Sequence, residues 1–318
     1  MQIVLSIDEI KKINQPIAVA IGNFDGVHLG HQALIKQCVD ESKQKGWLAS
    51  VLTFEPHPQR VIARGKETKL INTPEQKYRL IEALGVDYLI LLKFNQELAE
   101  TAPDDFIKKY LVGMMDIKKI FIGFNFFFGK KGRGTPSLLT SKGPDYGYET
   151  SVLPAIEIDN EIISSSLIRE MYKSGDMKGV AKFLGYWPQL EGTVTKGDAR
   201  GRTIGFRTAN IELPDYLILP DFGVYAAVAE IRENETSLEA KSYPAVINIG
   251  LRPTFSVDKP IAEAHLLDFS GDVYHKNIRL NLYKKLREEK CFSSINELGQ
   301  QIKKDVQLAR DVIKEYKY

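Results

Sequence analysis

Apolar and polar positions alternate along the first half of the chain in two different rhythms. Short, nearly continuous apolar runs at Ile17 to Ile21, Leu48 to Phe54, Val86 to Phe94 and Lys119 to Phe124 read as strands buried on both faces. The segments between them place apolar residues at helical spacing, as in Leu34, Ile35, Cys38 and Val39. Thr73 with Pro74 and Gln76 forms a capping-box pattern that starts one such helix, and Gly85 follows its last apolar turn as a C-cap. This βαβ rhythm predicts a doubly wound, Rossmann-like parallel sheet.

The rhythm changes near residues 175–190. Gly185 and Pro188 punctuate the chain, and strands then succeed one another with little helix between them: Gly192 to Lys196, Arg202 to Leu213, Phe222 to Ile231, Tyr243 to Ile249, Ala262 to Phe269 and Lys276 to Leu286. Such spacing predicts a small antiparallel β-barrel. A closing helix from Ser294 to about Tyr316 opens with a Ser294/Glu297 capping box. The expected division is therefore an α/β domain over 1–185 and a barrel domain over 186–318, in keeping with a length of 318 residues.

Composition narrows the function classes without choosing one. With 43 Lys plus Arg against 41 Asp plus Glu, the formal charge is only +2, which lacks the electrostatic footprint of a general nucleic-acid binder. Any anionic ligand must be held locally. Two cysteines far apart, Cys38 and Cys291, suggest neither a disulfide framework nor a zinc site. No apolar run approaches the roughly 20 residues of a membrane span, and Met1 to Lys12 mixes acids with lysines in a way unlike a signal peptide. A cytoplasmic protein with no nucleic-acid or membrane partner is expected, its oligomeric state left open.

The most specific stretch is Gly22-Asn23-Phe24-Asp25-Gly26-Val27-His28-Leu29-Gly30-His31, directly after the first buried run and opening the first helix. Glycines let such a turn bring its backbone close to a polyphosphate, and the helix N-terminus adds free N–H groups and the positive end of a dipole. His28 and His31 lie one helical turn apart, so both imidazoles can face the same phosphates. Ile163-Ser164-Ser165-Ser166-Leu167-Ile168-Arg169 supplies three hydroxyls at a helix start, where capping alone would explain them. Arg169, one turn further, adds a guanidinium fork suited to a leaving pyrophosphate. Thr53-Phe54-Glu55-Pro56-His57-Pro58 and Gly123-Phe124-Asn125-Phe126-Phe127-Phe128-Gly129 follow predicted strands, at the sheet edge where open α/β folds bind ligands, and a basic loop, Lys130 to Gly134, comes next. Phe54, Pro56, His57, Phe126 and Phe128 are candidate flavin contacts, with core packing as the plain alternative for the rings. Asn125 offers an amide that can read a flavin or adenine edge.

In the second half, Gly192 to Arg202 is a Gly-rich joint between two strands, in which Gly197, Gly201 and Arg202 are candidates for holding ATP; hairpins also use glycine for conformation alone. Thr208 and Asn210 alternate on one face of a predicted strand and could present oxygens to Mg²⁺ and phosphate. Glu263 stands in the otherwise apolar run Ile261 to Leu267, where a carboxylate suits a general base for a hydroxyl attacking a γ-phosphate; an ordinary barrel-surface glutamate is the alternative.

The ordered series G-N-F-D-G-V-H-L-G-H, T-F-E-P-H-P, G-F-N-F-F-F-G and I-S-S-S-L-I-R resembles the adenylyltransferase module of bacterial bifunctional riboflavin kinase/FAD synthetases, and Gly192 to about Arg310, including L-R-E-E-K-C-F at Leu286 to Phe292, resembles their kinase module. The resemblance implies AMP transfer from ATP to FMN, with His28, His31 and Arg169 on the ATP phosphates and Asn23, Asn125, Ser165 and Ser166 in support. Gly22, Phe24, Asp25, Gly30 and Ser164 complete the implied nucleotide site. It also implies phosphorylation of riboflavin by ATP, with Mg²⁺ serving both steps. One position departs: the family reads G-F-P-T-A-N, and Arg207 stands where proline is expected. Losing a fixed φ loosens the loop beside Thr208. Two other readings thus stay open: FAD synthesis alone with a degraded kinase module, and a tRNA-dependent or lipid-precursor nucleotidylyltransferase sharing the H-x-G-H site.

Overall fold

The computed structural model describes residues 1–5, 7–62, 68–113, 115–195, 208–232, 240–252 and 259–316. These fall into two compact units, Met1–Ser165 and Ser166–Tyr318.

The first unit is built on β1 (Gln2–Val4), β2 (Ile17–Ile21), β3 (Leu48–Glu55), β4 (Tyr88–Lys93), β5 (Ile117–Gly123) and β6 (Glu149–Leu153). They pair in parallel in the order β1-β4-β3-β2-β5-β6. Both faces of this sheet are covered, which is why its strands read as apolar runs rather than as alternations. In β2, Ile17, Val19 and Ile21 enter one core with Phe106, Ile107, Leu111 and Leu139. Ala18 and Ala20 enter the other, where their small side chains face Leu34, Ile35, Cys38 and Val39 of the helix Leu29–Lys45. The doubly wound expectation is met. Successive strands run outward from β2 through β3 to β4 on one side and through β5 to β6 on the other, so the chain order reverses between β2 and β5.

Local chemistry sets the element ends. The helix Pro74–Glu82 has the complete capping box: Thr73 accepts from the Gln76 N–H (3.2 Å) and Gln76 Oε1 accepts from the Thr73 N–H (2.9 Å). It stops at Glu82, and Gly85, with φ +83°, turns the chain two residues after its Ala83 cap. Strand β5 begins at Ile117, two residues before the predicted run, because buried Ile117 already pairs with Ile17 of β2; Lys119 Nζ meets Glu41 at 2.8 Å. A hairpin of β7 (Glu157–Ile158) and β8 (Glu161–Ile162) turns at Asp159 and Asn160, both at positive φ, as a tight two-residue connection requires.

In the second unit the helices that include Leu167 to Lys173 and Met177–Leu184 precede β9 (Gln189–Thr195), β10 (Ala209–Glu212), β11 (Gly223–Arg232), β12 (Ala240–Arg252), β13 (Lys259–Leu266) and β14 (Asn277–Arg287). All pairings are antiparallel, and the order β10-β13-β12-β11-β14-β9 closes as β9 meets β10. The predicted barrel is present. Val224, Ala226 and Val228 of β11 pack outward on Ala309, Val312 and Ile313 of the closing helix Ile295–Tyr316, which leaves the alternate residues Tyr225, Ala227 and Ala229 to fill the interior.

That closing helix is pinned by an ion pair. Arg287 donates through Nε to both oxygens of Asp305 (3.1 and 3.0 Å) and through Nη2 to Oδ2 (2.8 Å), while Gln301 donates to Oδ1 (2.8 Å). Asp305 is buried and Arg287 only half-buried. Asp305→Ala leaves the guanidinium without its counter-charge and is expected to lower stability by about 2–4 kcal/mol, somewhat under the figure for a fully buried pair because water reaches Arg287. Calorimetry checks this; an Asp305→Ala chain that melts like the parent shows that the ion pair does not hold the helix.

Candidate functional site

The turn that follows β2 carries backbone strain, and its neighbours hold it in place. Phe24 (φ 51°), Gly26 (φ 84°) and Val27 (φ 35°) all lie in the left-handed region that non-glycine residues avoid. Phe24 is fully buried, and its ring fits because residue 22 is glycine: a Cβ there would stand 3.1 Å from the ring. Thr53 of β3 donates to the Asn23 carbonyl (3.2 Å), and Gln32 donates to that of Val27 (2.9 Å). The Asp25 carboxylate accepts from the Ile71 N–H and its carbonyl from the Ser165 hydroxyl, each at 2.9 Å. Asp25 thus braces the turn on both sides, while Asn23 stays exposed above it.

At the end of the turn His28 is the N-cap of the helix Leu29–Lys45, and its Nδ1 accepts from the His31 N–H at 3.3 Å. In the neutral ring the proton must then sit on Nε2, which faces away from the cap as a donor. The two imidazoles stack, 3.6 Å between centroids and 16° between planes, and Phe24 meets His31 edge-on at 5.3 Å. Gly30 permits this fold-back, since a Cβ would lie 3.2 Å from His28 ring atoms. His31 Nδ1 is buried with no hydrogen-bond partner among the described residues. Such an orphan at a helix N-terminus is what an absent acceptor or donor would leave.

Burial, then the neighbouring His28, then Lys77 hold the His31 pKa well below the usual imidazole value, so the ring is neutral at pH 7. Because the unfolded chain binds this proton first, His31 costs stability as pH falls below the ordinary histidine range and costs none above it. Lys77, from the helix Pro74–Glu82, is buried with Nζ 3.6 Å from Glu55 at the end of β3. Burial pushes its own pKa down, against the opposing pull of Glu55 and Asp25.

The loop after β5 forms the other side of the strand-order reversal. Asn125 is exposed, with Oδ1 3.3 Å from where a Gly123 Cβ would be. Phe128 belongs to the core and Phe126 stacks on it at 5.8 Å, whereas Phe124 and Phe127 keep 45% and 60% of their surface exposed. A Cβ at Gly134 would stand 2.6 Å from the Phe128 ring, so only glycine closes the Phe128–Gly134 bridge. Beside this loop Phe54 is core, edge-on to Phe94 at 5.8 Å; Pro56 follows a cis peptide and is half-buried; His57 is buried and accepts from the Gln59 N–H (3.3 Å). Ser164 and Ser165 are half-buried and Ser166 exposed; Arg169 is half-buried in the helix Ser165–Lys173. The boundary between the units falls at Ser165/Ser166, so Arg169 belongs to the second.

On the barrel, strand register assembles a polar row. Thr195 pairs with Asn210, Asn210 with Glu263, and Glu263 with Asn248. Their sequence neighbours Ile211, Ala262, Ala264, Ile247 and Ile249 are buried, so the row lies on the outer face. Asn210 is buried there and Glu263 half-buried; Thr208 is exposed just before β10 begins. Asn248 Nδ2 donates to Glu289 Oε1 at 3.3 Å, and Glu289 lies so close over Gly250 that a Cβ there would come within 2.3 Å of it. Gly197, Gly201, Arg202 and Arg207, with the Pro253 to Phe255 loop, lie outside the described residues.

Residues 10–167 match the FAD synthetase family, and residues 184–313 match the riboflavin kinase family. The bifunctional riboflavin kinase/FMN adenylyltransferase of Bacillus subtilis is 40% identical over 304 residues, covering 94% of this chain and 93% of that protein. This chain belongs to the bifunctional riboflavin kinase/FMN adenylyltransferase family. The family's Escherichia coli K12 member is 33% identical over 98% of this chain and 97% of its own. A crystal structure described as a macrolide-efflux protein from Streptococcus pneumoniae shares the fold, with TM-score 0.86 and 28% identity over 98% of this chain and 99% of that one. Efflux is said of that protein; among the described residues here, no helix is long and apolar enough to cross a membrane.

Both domains that name the family are therefore present, which supports two activities over FAD synthesis alone, and the flavin family over a tRNA- or lipid-directed enzyme. ATP, FMN and FAD are substrates and products of this class. Sequence reasoning did not single out Lys77, Asn248, Glu289 or the exposed pair Phe124 and Phe127. Of these, Glu289 had a signal, since L-R-E-E-K-C-F was noticed without a role for its second carboxylate.

Proposed function

We propose that this chain makes FAD from riboflavin in two ATP-dependent steps, with FMN adenylyltransferase activity in residues 1–185 and riboflavin kinase activity in 186–318. The observation that carries the adenylyl-transfer reading is the stacked His28/His31 pair on a strained turn at the strand-order reversal, where open α/β sheets bind ligands. In this reading the FMN phosphate oxygen attacks the α-phosphorus of ATP, the bond to the β-phosphate bridge breaks, and pyrophosphate leaves. His28 Nε2–H, His31 and the free N–H groups of the helix stabilise the charge that builds on the phosphates, and Arg169 receives the leaving pyrophosphate. Gly22 and Gly30 allow the approach, Phe24 and Asp25 hold the turn, and Asn23, Ser164, Ser165 and Ser166 contribute polar contacts. Asn125 and Phe126, joined by the exposed rings Phe124 and Phe127, face the flavin, with Phe54, Pro56, His57 and Phe128 supporting them from behind.

In the kinase half, Glu263 takes the proton of the ribityl hydroxyl as its oxygen attacks the γ-phosphorus of ATP, releasing ADP. Glu263 stands beside Asn210 in register, which supports grouping base and phosphate site. Thr208 and Asn210 offer neutral, hard oxygen donors that suit Mg²⁺, and Gly197, Gly201 and Arg202 complete the ATP site. Mg²⁺ held by Thr208 and Asn210 would supply neutralisation of phosphate charge, chemistry that the adenylyl step would also draw on. Free thiols at Cys38 and Cys291 fit a reducing cytoplasm. The chain's partners in this reading are the small molecules riboflavin, FMN and ATP.

Chromatography of products from riboflavin, ATP and Mg²⁺ over time tests this. FMN is expected first, then FAD with pyrophosphate; FMN that never proceeds to FAD overturns the assignment of the first domain, and FAD from added FMN but not from riboflavin overturns that of the second.

A further inference from the structure

The kinase scheme above gives the terminal hydroxyl of the ribityl chain a base and leaves the inner hydroxyls without contacts. The barrel face beside Glu263 has groups for them. Asn248 of β12 is the antiparallel partner of Glu263 of β13, so the two side chains stand on the same outer face, about 5 Å apart at their Cβ atoms. Gly250, two residues further along β12, belongs to that face as well. Glu289, from the segment after β14, reaches over both. Its Oε1 accepts from Asn248 Nδ2 at 3.3 Å, and a Cβ on Gly250 would come within 2.3 Å of the same oxygen. The carboxylate thus lies in room that a side chain at residue 250 would fill. Glu289 is exposed, and a hydrogen bond at such a position adds little to stability, so holding the barrel together gives no strong reason for the arrangement.

Glu263, Asn248 and Glu289 form a line in which two carboxylates flank an amide that turns its Nδ2 donor toward Glu289. Carboxylates only accept, so the line repels a phosphate and offers an alkyl chain nothing. A chain with a hydroxyl on each carbon matches it, because every O–H that leaves water needs an acceptor.

We propose that Glu289 is a specificity-determining residue of the kinase half, accepting hydrogen bonds from the secondary hydroxyls of the ribityl chain, with Asn248 fixing the carboxylate in place. The terminal hydroxyl sits at Glu263, and the chain runs from β13 across β12 toward Glu289. The inference rests on the assignment of riboflavin phosphorylation to Glu263.

The test uses the full chain with Glu289→Ala, Glu289→Gln and Gly250→Ala. In the last, the backbone is not left-handed, so the added methyl strains only the flexible carboxylate and displaces it. Two quantities are measured by chromatography of FMN formed: kcat/KM for riboflavin, and the inhibition constant of a flavin whose side chain is a pentyl chain with a terminal hydroxyl only. In Glu289→Ala, kcat/KM for riboflavin is expected to fall about ten- to a hundredfold, as for loss of a hydroxyl's bond to a charged acceptor, while the inhibition constant of the alkyl flavin barely moves. Gly250→Ala should lose in the same selective way, and Glu289→Gln, which keeps an acceptor oxygen, should lose less. Equal losses for both flavins mark a merely structural role and overturn the proposal. So does Glu289→Ala phosphorylating riboflavin at the parent rate. Should Glu263→Gln phosphorylate riboflavin normally, it is the assignment of the kinase site that fails instead.

Discussion

A chain with His28→Ala and His31→Ala converts riboflavin to FMN and stops there. Removing one preorganised donor from developing charge typically costs about 10²–10³ in rate. The two rings stack on one another, so their losses are not additive, and FMN adenylylation is expected to fall by about 10³ overall. The fold should survive, because losing the His28 cap costs only about 1 kcal/mol and Thr53, Gln32 and Asp25 brace the same turn independently. Riboflavin kinase activity, carried by the other unit, serves as the internal control. The measurement is the ratio of FAD to FMN after incubation with riboflavin and ATP; undiminished FAD would falsify the assignment of the nucleotide site.

Glu263→Ala should give the mirror image. Riboflavin is no longer phosphorylated at an appreciable rate, a loss of about 10²–10⁴ for a general base, yet FMN supplied from outside is still carried to FAD. Structure argues that the loss is chemical: Glu263 lies on the outer face of β13, only half-buried, between Asn210 and Asn248 in register, while the interior is filled by Ala262 and Ala264. Glu263→Gln, which keeps the shape and removes the basic oxygen, should lose nearly as much. Phosphorylation by either variant at the parent rate sinks the assignment.

The fold was legible where physics is local. Runs such as Ile17 to Ile21 are apolar at every position because each face of the strand meets its own core, and the capping residues Thr73 and Gln76 make the bonds their spacing implies. Strand β6 was not foreseen, because Glu149 to Leu153 lies at the sheet margin and mixes polar with apolar residues. At the closing helix the Ser294 hydroxyl does accept from the Glu297 N–H (3.2 Å), but Glu297 reaches back to Ser293 rather than Ser294, a one-residue shift that spacing alone does not reveal.

The sites were legible by residue type more than by orientation. In Gly123 to Gly129 the strand ends at Gly123, so the period of two that would sort the phenylalanines no longer applies; Phe126 and Phe128 turn to the core while Phe124 and Phe127 face out. Lys77 looks like any helical lysine until the tertiary fold brings Glu55 and Asp25 to it from distant segments. Asn248 and Glu289, 41 residues apart, meet because β12 and β14 both pair with β11.

The reversal of strand order between β2 and β5 has one more consequence. The Gly22 turn continues into a helix on one side of the sheet, whereas the chain after the Phe124 to Gly134 loop packs Leu139 into the opposite side. The two banks of the crevice are thus anchored in separate foundations. With flavin on the aromatic bank and ATP on the Gly22 turn, as proposed above, a redesign of the aromatic bank for a bulkier isoalloxazine would repack one without disturbing the other, so tolerance for flavin analogues should be tunable with the affinity for ATP left as it is.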